Sequence, residues 1–397
     1  MDGPGARSRC GAGRASRGAG RASRGAAAVS ALLRGLTTFV WRWLDRVDLP
    51  LLAGLLAIMG LSLAVQASAA GGDGRAVIAQ AVRFGVGLGA LLLLTRLSPS
   101  TLRQWTPLAY VGGLVLLGLV FVFGSGRSAD LWLDLGVFHL QPAELLKLGV
   151  PMMVAWFLHQ ARLPPGWTTL AISAAIIGLP VGLIILQPDL GTGLLVGASG
   201  VFAVFLAGIA WWRIGLFAGL GLAALPIGWQ FLMPYQKDRI LTFLDPESDP
   251  LGTGWNIIQS KIAIGSGGLT GKGWGQGTQA HLDFLPEHTT DFVFAVYAEE
   301  FGWLGVLLLL GLYLFVVLRS LWLAAQARDT YARLLAGALG LTFSIYVIVN
   351  AGMVAGFLPV VGVPMPLLSY GGTSAVSLLA GFGIVMAAGA HRRSWGG

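Results

Sequence analysis

From Leu49 onward the chain alternates long apolar runs with short polar breaks, and the runs have the length of membrane spans. Each span needs roughly 20 residues to cross about 30 Å of hydrocarbon. The runs fall at 49–68, 77–95, 107–123, 144–161, 168–187, 190–210, 212–232, 291–318, 334–356 and 370–390. They predict about ten transmembrane helices and an all-α integral membrane protein. Two segments break the pattern. Residues 1–46 are rich in Gly, Ala, Ser and Arg with almost no acids, and no apolar face recurs, so they predict a disordered basic tail ahead of a membrane domain at 47–397. An Arg-rich, Ser-rich start also resembles an organellar transit peptide, but a cytoplasmic tail fits the remaining chain better. Residues 233–290 form a long polar, Gly-rich loop between the seventh and eighth runs.

Charge orients this array. Counted across alternate loops, the tail, Arg96, Arg103, Arg162, Arg213, Arg319, Arg328, Arg333, Arg392 and Arg393 share one side, which the excess of positive charge in cytoplasmic loops makes cytoplasmic. Both termini are then inside, and 233–290 is extracytoplasmic. Within that loop, TGWNIIQSKIAI places Trp255, Ile258 and Ile262 on one face of a short helix suited to the membrane interface.

Composition narrows the classes. A chain of 397 residues that is 55% hydrophobic and 11% charged has too few polar groups to coat a soluble domain. Its 59 glycines suit helices packed backbone to backbone in lipid. The net charge of +8 lies in the tail and short loops, which fits anionic lipid headgroups and argues against a nucleic-acid partner. Cys10, the only cysteine, excludes an intramolecular disulfide and a Cys-based metal site.

Candidate chemistry gathers where charge meets the apolar runs, because an ionisable residue at membrane depth needs water or a partner. Asp291 follows Thr289 and Thr290, either of which can cap the eighth helix and leave the carboxylate ionised in its first turn, where it could act as a general base. An isolated Asp at a helix start is more often only a good first-turn residue. Glu287, four residues earlier, weighs against that plain reading, since two close carboxylates permit an acid/base pair or a divalent cation. Glu144 and Lys147 share a helix face after Pro142, as a self-satisfied ion pair or an anion site. Asp189 in Gln187–Gly193 reads as the cap of a tight turn. The Gly-rich 265–277 loop with Lys272 could wrap a phosphate with backbone N–H groups but matches no P-loop. His281 and His288 lack metal-ligand spacing. Pro364, Pro366 and Gly371–Gly372 predict irregular backbone near membrane depth, which survives only beside a cavity or under protein, and Asn350 faces the same interior.

These strings also carry a resemblance. GWNIIQSKIAIGSGGLTGKGWGQGTQAHLDFLPEHTTDFVFAVYAEEFGWLG, with its GKGW-x-x-GTQ and FLPE elements, resembles the long outer loop and following helix of the SEDS family (shape, elongation, division, sporulation), in its RodA-type elongation branch. WLDLGVFHLQPAELLKL, LQPDLGTG and PLLSYGG-S are similar to further family stretches in the same order, so the likeness covers essentially everything after Leu49. It implies a peptidoglycan glycosyltransferase of the bacterial inner membrane. The substrate would be lipid II in the outer leaflet, and the partners a class B penicillin-binding protein and other membrane proteins of the elongation complex. The family's essential Asp falls on Asp291, and its Glu and Lys fall on Glu144 and Lys147. Three positions depart from the family pattern: the order His288–Thr289, Leu131 where Arg is usual, and Ala143 where Ser is common.

Polymerisation then needs a base near the acceptor hydroxyl and positive charge near the departing pyrophosphate. Asp291 is the candidate base. Lys147, Lys272, Arg239 or a divalent cation could stabilise the pyrophosphate, with Glu287, Gln279 and Lys261 completing the candidate substrate-binding set. Two other readings remain: a transporter that carries the lipid headgroup across the membrane, and a non-catalytic scaffold for a penicillin-binding protein.

Overall fold

The computed structural model describes residues 46–69, 74–124, 131–134, 136, 139–248, 253–281 and 289–390. The fold is a helical bundle: α1 Leu49–Ala69, α2 Gly74–Thr95, α3 Pro99–Phe123, α4 Pro142–Gln160, α5 Trp167–Leu186, α6 Leu190–Leu206, α7 Trp211–Phe231, α8 Pro234–Leu244, α9 Thr253–Ser266, α10 Thr278–His281, α11 Val293–Gln326, α12 Thr330–Val354 and α13 Thr373–Ala390. The stretch WLDLGVFHL adds a two-stranded antiparallel ladder, β1 Leu133–Asp134 against β2 His139–Leu140, absent from the sequence expectation.

Among the described residues eight helices are long and apolar enough to cross a membrane. The expected ten are therefore matched in position but not all in span character. The 17-residue α6 is short, and α4, which carries Glu144 and Lys147, is not among the eight. Helices α12 and α13 form the enclosed centre with α4 and the first half of α11. Helix α7 has no buried residue and touches the bundle mainly near its start, where Trp212 and Phe217 meet Trp167, so most of its apolar surface is left to lipid.

Helix α9 keeps Trp255, Ile258 and Ile262 on one side, the expected face. Gly254, Ile257, Gln259, Ser260 and Ala263 are its buried residues, on the side packed toward α11 and α12, with Ser260 Oγ donating to Val354 O at 2.9 Å. Trp255 and Ile258, partly exposed, and Ile262, exposed, lie on the opposite side. That arrangement suits an interfacial helix, whose aromatic and aliphatic face meets headgroups and whose small residues meet protein.

The segment 359–372 is irregular, as its prolines predict, and Leu367 adopts φ 58°. Its carbonyls find donors from four spans. Ser62 Oγ donates to Leu368 O at 2.8 Å, Gln80 Nε2 to Ser369 O at 3.2 Å, Tyr313 OH to Pro366 O at 2.7 Å, and Asn350 Nδ2 to Val363 O at 2.7 Å. Asn350 Nδ2 also reaches Asp291 O at 2.9 Å, and Gln66 Nε2 reaches Thr289 O at 3.0 Å. Tyr370 N donates to Thr289 O at 2.9 Å, so the 289–291 turn and the irregular segment form one hydrogen-bonded unit. Asn350 is fully buried. Asn350→Leu should therefore lower stability by about 1–3 kcal/mol for each carbonyl it strands. Melting of the purified variant in detergent checks this, and an unchanged midpoint contradicts it.

Candidate active site

Asp291 lies in the turn Thr289–Phe292, and α11 begins only at Val293 with Phe292 as N-cap and no side-chain cap bond. The expected threonine cap is thus absent, and the carboxylate precedes the helix instead of occupying its first turn. Tertiary contacts hold it there: Asn350 bonds its carbonyl, and the Tyr370 amide bonds Thr289. The positive end of α11 still faces it. Asp291 is half-buried, and its Oδ2 lies 3.6 Å from the point where a side chain on Gly362 would begin. Gly362 has φ +69° and is exposed, so the carboxylate borders open space that a larger residue would narrow.

Next to Gly362, Val361 lines a cavity of about 190 Å³ together with Asp189, Tyr235 and Arg239. Asp189 caps α6 as expected, accepting from Thr192 N at 3.0 Å, and its other oxygen accepts from Gln141 Nε2 at 3.4 Å. Tyr235 OH donates to Pro188 O at 2.8 Å, and the exposed Arg239 guanidinium lies 5.7 Å from the Tyr235 ring centroid. Of the lysines and arginines singled out between 233 and 290, Arg239 is the one lining this space.

Lys272 and Gln279 converge elsewhere. Lys272 Nζ is 2.6 Å from Glu299 Oε1, a carboxylate with no solvent exposure, and 3.0 Å from Thr278 Oγ1. Thr278 N and Oγ1 each donate to the same oxygen at 2.9 Å, and Gln279 N reaches Glu299 Oε2 at 3.3 Å. The neighbouring Glu300 accepts from Ser68 Oγ and, at 3.2 Å, from Gly275 N. Helix α11 breaks at Gly302, φ +65°, and the Gly-rich loop repairs the break. Lys272 N and Gly273 N donate to Glu299 O and Glu300 O, both at 3.0 Å, while Trp303 N and Leu304 N donate to Gly268 O and Leu269 O at 2.9 and 3.1 Å. A Cβ on Gly271 would stand 2.0 Å from Glu300 O, which explains the glycine. The N–H groups of Lys272, Gly273 and Gly275 are therefore engaged by α11 and are not offered to a phosphate.

Glu144 and Lys147 are brought together inside the bundle, 2.6 Å apart and only 5% and 7% exposed. Glu144 Oε2 accepts from Ser377 Oγ at 2.8 Å, and Lys147 Nζ sits 4.9 Å from the Tyr346 ring centroid. A water-sized cavity of about 30 Å³ borders Lys147, Tyr346 and Ser377. A buried ion pair contributes little net stability over apolar residues of the same volume, yet losing one partner costs about 3–5 kcal/mol. Lys147→Met should destabilise by that amount. Glu144→Leu with Lys147→Met should recover the melting temperature but not polymerisation, and recovery of both would make the pair purely structural.

Lys261 is exposed on α9, where its side chain lies against Gly356. Glu287 and His288 lie outside the described residues, as does any pairing of Glu287 with Asp291. Among the described residues no group of three His, Cys, Asp or Glu is placed to hold a metal ion. Glu299, Glu300, Ser62, Gln66 and Gln80 also take part in these contacts, although no motif in the sequence singles them out. Their signal was present: polar residues inside apolar runs, two of them adjacent glutamates.

A helical bundle with eight helices long and apolar enough to cross a membrane among the described residues defines a multi-pass membrane protein, with the Asp291 carboxylate at one end beside exposed Gly362. The chain belongs to the FtsW/RodA/SpoVE family of cell cycle proteins, which it matches over residues 43–394. It is 48% identical over 349 residues to the peptidoglycan glycosyltransferase MrdB of Escherichia coli (strain K12), covering 87% of this chain and 94% of that protein. It is 36% identical over 370 residues to a probable peptidoglycan glycosyltransferase FtsW of Halorhodospira halophila, covering 90% and 93%. Among solved structures it resembles a chain of a peptidoglycan synthase complex that coordinates polymerization and crosslinking, with TM-score 0.76, 37% identity and coverage of 87% and 98%. It also resembles the rod shape determining protein RodA of Thermus thermophilus, with TM-score 0.67, 33% identity and the same coverage.

Proposed function

We infer that this chain is a peptidoglycan glycosyltransferase that polymerises lipid II into glycan strands during cell-wall elongation, with Asp291 as general base. It works at the outer face of the bacterial cytoplasmic membrane with both termini inside, as the arginine-bearing loops favour. A class B penicillin-binding protein crosslinks the product.

The acceptor's sugar hydroxyl oxygen attacks the anomeric carbon of the muramyl donor. The bond from that carbon to the lipid pyrophosphate breaks, the electron pair leaves on the pyrophosphate oxygen, and Asp291 takes the hydroxyl proton. Configuration inverts from α to β. Arg239 supplies positive charge near the neighbouring cavity, and Lys147 supplies it from within the bundle. One observation carries the reading: a half-buried carboxylate at the start of α11, anchored through its own carbonyl by Asn350 and bordering exposed Gly362.

Purified protein incubated with labelled lipid II, with and without chelator and with and without a class B penicillin-binding protein, tests this. Polymer ladders are expected. Headgroup translocation in vesicles without polymer would make the chain a transporter, and no polymer under any condition would leave only a scaffold.

A further inference from the structure

Arg83 lies inside the spanning helix α2, about 13 Å along it from Gly74. Lys147, Lys272, Arg319 and Arg103 stand 2.6, 2.6, 2.7 and 3.6 Å from a carboxylate oxygen. Among the described residues Arg83 has no such partner. Its guanidinium carbon sits 4.2 Å from the centroid of the Tyr370 ring, and its Nη1 is shut off from solvent without an acceptor. A cation at membrane depth needs water or a counter-ion, and here neither reaches that nitrogen. We propose that Arg83 holds the pyrophosphate of the lipid-linked donor, an assignment that rests on the glycosyltransferase reading above and adds a residue to its substrate site.

Hydrogen bonds tie this arginine to the turn that carries Asp291. Tyr370, whose ring it covers, donates its amide to Thr289 O at 2.9 Å, two residues before the candidate base. One turn earlier on α2, the fully buried Gln80 donates Nε2 to Ser369 O at 3.2 Å and accepts from Gly371 N at 3.4 Å. Helix α2 is thus fixed to the residues on both sides of Tyr370. Stacking on the ring occupies the flat face of the guanidinium and leaves its N–H edges for phosphate oxygens, which match that fork bidentately.

Room and setting suit the same ligand. Gly372 is exposed, and a Cβ built on it meets nothing within 4 Å, so the glycine pair after Tyr370 leaves space beside the stack. The 18-residue α13 begins at Thr373, which brings its positive end to this turn. Val82 and Val86, flanking Arg83 on α2, are 60% and 58% exposed and present an apolar surface to lipid chains. An anion carried on a prenyl chain meets both conditions at once, charge for the guanidinium and hydrocarbon for the helix beside it.

Equilibrium binding to the full-length protein in neutral detergent tests this, with undecaprenyl pyrophosphate, undecaprenol and phosphatidylglycerol as probes. Arg83→Gln should bind undecaprenyl pyrophosphate about 10–100-fold more weakly than wild type, the usual range for one charge-assisted contact, and bind undecaprenol unchanged. Arg83→Lys, which keeps the charge without the fork, should recover part of the loss. If Arg83→Gln does not fold, Gly372→Asp decides, because it puts a negative charge into the open space and leaves Arg83 in place; it should lose the pyrophosphate probe selectively. The assignment is overturned if the folded variant binds undecaprenyl pyrophosphate as tightly as wild type, if it loses undecaprenol equally, or if phosphatidylglycerol displaces the pyrophosphate probe at equal concentration. Binding is read without turnover. Arg83-dependent binding by a wild type that makes no polymer therefore sinks the glycosyltransferase reading alone, and polymer formation with Arg83-independent binding sinks this one alone.

Discussion

Asp291→Asn is expected to slow polymerisation of lipid II by about 10²–10⁴-fold, the usual range for loss of a positioned general base. The substitution keeps the shape of the side chain and removes its basicity. Fold and placement should survive, because the bond from Asn350 goes to the backbone carbonyl of Asp291 and not to its carboxylate. Gel-resolved product from purified variant and wild type, with matched melting curves, separates chemistry from stability. A variant that polymerises at near wild-type rate refutes the base assignment.

The largest expected effect on stability belongs to Glu299. Glu299→Ala would strand Lys272, the Thr278 hydroxyl and amide, and the Gln279 amide around a hole in the broken helix. Lys272 keeps 28% of its side chain exposed, so water receives its charge, and the cost is that of the stranded donors, about 1–3 kcal/mol for each one cut off from water. Lys272→Met should cost less, because Glu299 keeps its Thr278 and Gln279 donors. The comparison also decides what Lys272 does. If Lys272→Met melts like wild type but makes no polymer, Lys272 contacts substrate; if activity follows stability, its task is to hold the loop in the gap at Gly302.

Much of the architecture was legible along the chain. Apolar runs marked the helices because each span must satisfy its own backbone inside hydrocarbon, so its signal is local and long. The prolines and paired glycines near 364–372 announced irregular backbone for the same local reason. The Pro188–Asp189 turn and the Glu144–Lys147 pairing followed from short-range spacing, and the structure contains both.

What sequence spacing could not convey was which polar group answers which. The glycines of 265–277 look like a phosphate cradle in one dimension, yet they exist to let the loop enter the break in α11, a partner that lies about thirty residues away in the chain. Asp291 looks like a helix-capped carboxylate, yet its position is decided by Asn350 and Tyr370 from distant elements. The sequence by itself determined a multi-pass helical membrane protein, its family and the carboxylate to test, because hydrophobic length and motif order are properties of contiguous residues. Only the tertiary structure decided that Lys272 pairs with Glu299, that Glu144 and Lys147 are enclosed, and that Asp291 lies beside exposed Gly362. Those outcomes depend on buried polar groups finding partners across the bundle, and that matching is settled in three dimensions.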